Sequence, residues 1–380
     1  MIMRLARRLL LALLAVVVAP ALVPSSVEAG TDEDTVAQEQ AAFTSQGRWR
    51  RVGSSPLSPR SGHTAVWTGR EMIVWGGAGR QAWFADGAAY DPRNDRWRKI
   101  ADAPLAPRER QVAVWTGNEM LVWGGDAAGG VDPVGDGAAY NPVTNAWRKL
   151  ARSPLSPRFG NTAIWTGAQM IVFGGFTDCG FVGCPSAEVA AYEPRRDRWR
   201  LLDTWQSRWN HTAVWTGRAM IVWGGAGSFE HEASGAAYRP GKNRWRQLPQ
   251  GPLQGRVNHS AVWTGKEMIV LGGASNLELR VEGAAYDPFR RRWRVLPPSP
   301  VGFPSAHTAV WTGKQMLVWG SRTRGAAYSP QTNSWQRLPK PPLQGRIEHS
   351  VVWTGRELVV WGGEAPDDCC YKRDGAVYVP

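Results

Sequence analysis

Cysteine is scarce in this chain. Of 380 residues four are cysteine, none before Cys179, and the spacings Cys179–Cys184 and Cys369–Cys370 match no zinc site. No phosphate-cradling glycine loop and no nucleophile elbow occurs, which removes P-loop nucleotide chemistry and the α/β-hydrolase mechanism. Beyond residue 29 no apolar run is long enough to span a bilayer. Acid is also in deficit: 32 Asp and Glu face 45 Lys and Arg, for a net charge of +13. Tryptophan is abundant instead, at 22, with 43 Gly and 27 Pro. That mixture predicts many short strands joined by turns.

The first 29 residues stand apart. A basic "MIMRLARR" precedes an apolar "LLLALLAVVVA", and "VEA" precedes Gly30. This reads as a secretory signal with cleavage expected after Ala29, giving a secreted or periplasmic protein. Cleavage would remove Arg4, Arg7, Arg8 and Glu28, a net loss of two positive charges. Residues 30–46 show no periodicity and read as a flexible leader. An exported, basic protein is not expected to bind nucleic acid, and no transmembrane span or cofactor is expected.

From residue 61 the chain repeats. "WTG" begins at Trp67, Trp115, Trp165, Trp215, Trp263, Trp311 and Trp353, at intervals of 42 to 50 residues. A period near 50 denotes an array of supersecondary units. The first unit, "HTAVWTG REMIVWGG … GAAYDP RNDRWRKI", holds four strand-like runs. Its first two runs are apolar on both faces, so each sheet must be covered on both sides. Seven such sheets cover one another only in a closed ring, a β-propeller. Six units are complete. The seventh lacks its fourth strand, and "GRWRRV" at 47–52 is a fourth strand with nothing before it. The expectation is an all-β, seven-bladed propeller over 47–380, with four antiparallel strands per blade. The N-terminal strand completes the C-terminal blade and closes the ring.

This pattern resembles the kelch repeat. Its marks are a double glycine after the second strand, which becomes Gly320-Ser321 in the sixth unit, and a Tyr and a Trp with six residues between them, as in Tyr90 and Trp97. The resemblance is to bacterial-type exported kelch proteins, within the galactose oxidase-like superfamily. It implies a propeller, but scaffolds, ligand-binding domains, copper oxidases and a periplasmic sialic acid epimerase share that fold. The copper ligands of the oxidases, two Tyr and two His, have no counterparts here, because Tyr371 is the one Tyr outside the repeat.

Whatever recurs in every unit is explained by the blade, so function is sought in what does not recur. Five His precede a "WTG" Trp by four residues: His63, His211, His259, His307 and His349, with Gln111 and Asn161 in the other two units. They read as hydrogen-bonding structural groups. "FEHE" at 229–232 reads as a solvated loop rather than a metal site. The two residues before each His position should rim the central opening. They include Glu109, Arg110, Phe159, Trp209, Asn210, Asn258 and Glu348, a mixture suited to a sugar or peptide. Trp83 and Phe84 in the first long loop, Trp205 in the unusual "DTWQSRWNH", and Tyr371 complete the candidate ligand contacts; Trp205 has packing under its loop as its alternative.

The expected function is binding of a carbohydrate or protein ligand at the long-loop face by a monomer. The alternative is a sugar-active enzyme, with Glu109, Glu348 and Arg110 as the charged groups at the rim. Export and an even count suggest two disulfides, Cys179–Cys184 and the vicinal Cys369–Cys370, with free thiols or an intermolecular link as the alternative at the second pair. Arginine collects on the fourth strands, where it discourages edge pairing. Its rival role there is attachment to an anionic cell-surface polymer.

Overall fold

The computed structural model describes residues 47–380, apart from 128–131, 181–182, 276–277, 303–305, 321–323 and 367–369. The expected signal and leader, Cys369 and Ser305 therefore lie outside the described residues. Seven four-stranded antiparallel sheets make up the fold. In blade 1 the strands are Thr64–Trp67, Met72–Trp75, Gly87–Asp91 and Arg96–Lys99, hydrogen-bonded in that order. The first strands of successive blades lie side by side, and that of blade 7, Ser350–Trp353, returns to that of blade 1. The ring is closed.

Closure uses strands from both ends of the chain. Arg48–Arg51 pairs antiparallel with Gly375–Val379, with Trp49 opposite Tyr378. The Trp49 indole packs on Tyr378 at 5.1 Å, and its Nε1 donates to Pro339 O at 3.0 Å. The same tryptophan in every other blade also donates to a main-chain carbonyl of the preceding inter-blade loop, as Trp97 does to Gly53 O and Trp147 to Ala101 O.

The core is divided among the seams between blades. One cluster joins Met72, Val74, Ala88 and Tyr90 of blade 1 to Val352, Val359, Trp361 and Val377 of blade 7. Its partner on the next seam joins Ile73, Trp75 and Ala89 to Met120, Val122 and Tyr140 of blade 2. Each second strand is buried along its whole length because its alternating side chains serve both seams. The double glycine is a steric requirement. Gly77 has φ +98, and a Cβ there would stand 2.7 Å from Ser61 O and 2.9 Å from His63 Cβ.

The fourth-strand arginines do more than blunt an edge. Arg98 takes Glu71 of its own blade with Nε and Nη2, at 3.0 and 2.7 Å, and donates from Nη1 to Tyr140 Oη of the next blade at 3.2 Å. Arg148 repeats this with Glu119 and Tyr192, and Arg294 with Glu267 and Tyr328. These clamps tie adjacent blades together at the face opposite the long loops.

Candidate functional site at the axial mouth

A second set of arginines lies inside the protein. Arg60, Arg108, Arg158, Arg208, Arg256 and Arg346 stand three residues before the His position and are almost wholly buried. Arg60 Nη1 donates to Gly76 O at 3.0 Å and to the Asp86 carboxylate at 2.8 Å, while Nε donates to Ser58 O. The same bonds recur around Arg108 and Arg346. Each guanidinium thus staples both ends of a long loop to its blade. Burial lowers the pKa of Arg208 to about 10, and nearby Glu232 opposes the shift only in part. In blade 6 the position is Pro304, outside the described residues.

Phe84 and Trp205 belong to this scaffold. The Arg60 guanidinium lies 4.0 Å from the Phe84 ring centre, and that of Arg208 lies 4.1 Å from the Trp205 ring. Trp205 also stacks on Trp245 at 5.5 Å. Both rings are engaged beneath the loops rather than brought to the rim pairs.

The histidines are spacers between blades. His211, His259 and His307 bond through Nε2 to Thr162, Thr212 and Ser260 of the preceding blade, at 2.7 to 2.8 Å. His63 and His349 meet Trp361 and Trp319 edge-on at 5.0 Å. Gln111 takes the same place, donating to Trp75 O at 3.0 Å. Burial pushes His63, His259 and His349 down to about 3, and His307 to about 4. They are neutral packing groups near neutral pH.

The rim pairs do converge. The second residue of each pair is left-handed: Gly62, Arg110, Gly160, Asn210, Asn258, Ala306 and Glu348 have φ between +50 and +64. Main-chain bonds run from blade to blade among them, from Gly62 N to Glu348 O, Arg110 N to Gly62 O, Asn210 N to Gly160 O and Ala306 N to Asn258 O. The mouth is therefore a belt of backbone around the axis. Glycine and asparagine tolerate this conformation, whereas Arg110, Ala306 and Glu348 hold it at a cost of order 1 kcal/mol or more.

Outside the belt the long loops add two further rings. The first rim residue bridges to the residue after the double glycine: Ser61 to Ala78, Phe159 to Phe176, Trp209 to Ala226, Ile347 to Glu364. In blade 2 Glu109 pairs with Asp126. That second residue pairs in turn with a loop residue: Ala78 with Trp83, Ala226 with His231, Glu364 with Tyr371. Trp83, His231 and Tyr371 thus occupy equivalent, half-buried places.

Two unlike sectors result. On blades 7, 1 and 2, Arg110 Nη2 lies 3.4 Å from Glu348, and Ser61 Oγ donates to Glu348 at 3.1 Å. Burial pulls the Arg110 pKa down, but Glu348, Glu109 and Asp126 outweigh it and raise it. A Cβ on Gly62 would lie 3.1 Å from Glu109 Oε2 and 3.7 Å from Glu348 Oε2, so both carboxylates close on one point. On blades 3 and 4, Phe176 stands between Phe159 at 5.6 Å and Trp209 at 5.1 Å. Asn210 and Asn258 continue that side. Phe159 itself is buried, so Phe176 and Trp209 present the aromatic surface.

Sequence comparison of the rim pairs alone missed Phe176, Asp126 and His231. The signal was available, since the residue after the double glycine varies from Ala to Asp, Phe and Glu while its neighbours repeat.

Cys179 and Cys184 form a disulfide within the blade 3 loop. Cys370 is exposed on the blade 7 loop, and the vicinal bond to Cys369 falls outside the described residues. Among the described residues no helix is long and apolar enough to cross a membrane. No group of three or more His, Cys, Asp and Glu is placed to hold a metal among them.

The profile of the KLHDC2/KLHL20/DRC7 Kelch-repeats domain matches residues 30–206 and 113–320, together more than half of the chain. The chain belongs to the kelch-repeat family. No individual curated protein matches it. Membership of a family of kelch propellers points to interaction with other proteins. In this kelch chain the long loops and the charged and aromatic sectors lie on one face.

Proposed function

We propose that this kelch propeller is a binding protein whose ligand sits on the axial mouth, between the Arg110–Glu348 sector and the Phe176–Trp209 surface. The observation that carries the reading is geometric: Arg110 and Glu348, at left-handed positions that blades 1, 3, 4 and 5 give to Gly or Asn and blade 6 to Ala306, meet at 3.4 Å on the same belt that carries Trp209 beside Phe176. The ligand that fits is a carbohydrate, or a protein segment of the same chemistry. It offers a flat apolar face to Trp209 and hydroxyl or amine donors to Glu109 and Glu348.

The signal-like 1–29 supports action outside the cytoplasm. N-terminal sequencing of the processed protein reads cleavage after Ala29 directly.

A glycan array and a displayed-peptide library, probed in parallel, test the binding reading. Arg110→Asn and Trp209→Ala should each weaken the selected ligand about tenfold or more while leaving melting unchanged. Retention of binding by both variants would refute it. A second reading, catalysis on a small sugar, draws on the convergence of Glu109 and Glu348 at Gly62. It requires turnover that Glu109→Gln or Glu348→Gln abolishes without loss of binding.

A further inference from the structure

The clamp at the opposite face is complete in some blades and not in others. Blades 1, 2, 5 and 7 pair a glutamate of the first turn with an arginine of the fourth strand: Glu71 with Arg98, Glu119 with Arg148, Glu267 with Arg294, Glu357 with Arg50. Blade 6 has replaced both members, by Gln315 and Gln336. Blades 3 and 4 have replaced only the acid. Gln169 and Ala219 stand where the glutamates stand, yet Arg200 and Arg246 remain. Among the described residues neither arginine forms an ion pair.

The place of the missing carboxylate is open. In blade 3 a groove of about 250 Å³ is lined by Gln169, Ala191, Glu193, Arg196, Arg198 and Arg200. Its one acid, Glu193, is engaged by Arg196 at 3.2 Å. In blade 4 the floor residue Ala237 is half-buried, whereas Ala89 and Ala285, its equivalents beneath a glutamate, are fully buried. There Arg239 also faces Arg244 directly across the ladder, where blade 1 sets Asp91 against Arg96. Like charges so placed repel one another unless an anion lies between them. The nearby Asp203 is held by Asn243 at 2.8 Å, and Asp197 by Tyr192 and Arg148.

We propose that the outer edges of blades 3 and 4 are a second docking site, for an acidic segment of a partner protein. That segment supplies in trans the carboxylates that Glu71 and its equivalents supply within their own blades. The ligand chemistry is read from the molecule's own template: an arginine at this position takes a carboxylate side-on through Nε and Nη2. The site is on the face opposite the mouth, so it stands or falls independently of the function proposed above.

The test is fluorescence anisotropy with a short labelled poly-glutamate peptide and the processed full chain, at low and at physiological salt. The wild type should bind, and Arg200→Gln with Arg246→Gln should weaken binding about tenfold or more. Blade 6 already carries Gln336 there, so the fold accommodates the change. Gln169→Glu with Ala219→Glu restores the internal pair and should abolish binding. Lys266→Gln with Lys314→Gln makes the same change in net charge on blades 5 and 6 and should leave binding in place. Equal binding by the wild type and the glutamate variant would overturn the proposal, as would loss of binding in the lysine control. Failure of the peptide to bind, or tighter binding of a sulfated polysaccharide at Arg200 and Arg246, would also overturn it.

Discussion

Deleting residues 1–53 removes the strand that closes the ring. The loss begins with Trp49, which sits in the seam with Trp319, Leu338, Leu343 and Tyr378. Removing an aromatic side chain from such a site costs about 3–5 kcal/mol. Arg50 adds bonds to Tyr90 Oη at 3.1 Å and Pro92 O at 2.9 Å, across the next seam. At the surface these contribute about 1 kcal/mol. The sum, about 4–6 kcal/mol, approaches the whole stability of an ordinary domain, about 5–15 kcal/mol. Deletion also leaves Gly375–Val379 as an unpaired edge. The expected outcome is an open ring that self-associates. Size-exclusion chromatography with light scattering, beside a thermal melt, reads both effects. Trp49→Ala alone should stay monomeric and melt several degrees lower. A truncated chain that remains monomeric with an unchanged melting temperature would refute ring closure by this strand.

Acid should destabilise the propeller through its histidines. The unfolded chain takes up protons near pH 6.5, which the buried rings refuse until about 3 for His63, His259 and His349 and about 4 for His307. Their contribution is complete above about pH 6.5 and is lost as pH falls toward 3. Melting temperature should therefore decline across that window, and His63→Gln, which copies Gln111, should flatten the decline; a level profile from pH 6.5 to 4 contradicts the burial argument. Trp205→Ala should cost about 1–3 kcal/mol, through its stack on Trp245 and its cover over Arg208, and leave ligand binding at the mouth unchanged. Unaltered denaturant unfolding in that variant would remove Trp205 from the scaffold.

The repeat made the fold legible, because periodic burial is a local property. Strands apolar on both faces, turns at "WTG", and a fourth strand displaced to the front of the chain together leave only a closed ring. The rim pairs were legible for the same reason, as positions that vary between constant neighbours. The buried arginines were not. "PLSPR" recurs, and a recurring Arg beside Ser and Pro looks solvated until the loops from Gly76 and Asp86 close over it. Nor does sequence tell Trp205 from Trp209. They lie four residues apart, yet one is spent on Arg208 and the other stands beside Phe176. Partnership was the other hidden quantity. Arg98 and Arg200 sit in nearly identical strings, "DRWRK" and "DRWRL", and differ only in whether a glutamate 27 or more residues upstream reaches them. The sequence alone determined the period, the blade count and which positions vary. Tertiary structure decided which of those side chains are consumed by packing and which stay at the surface, because that depends on contacts between blades the chain brings together only when the ring is closed.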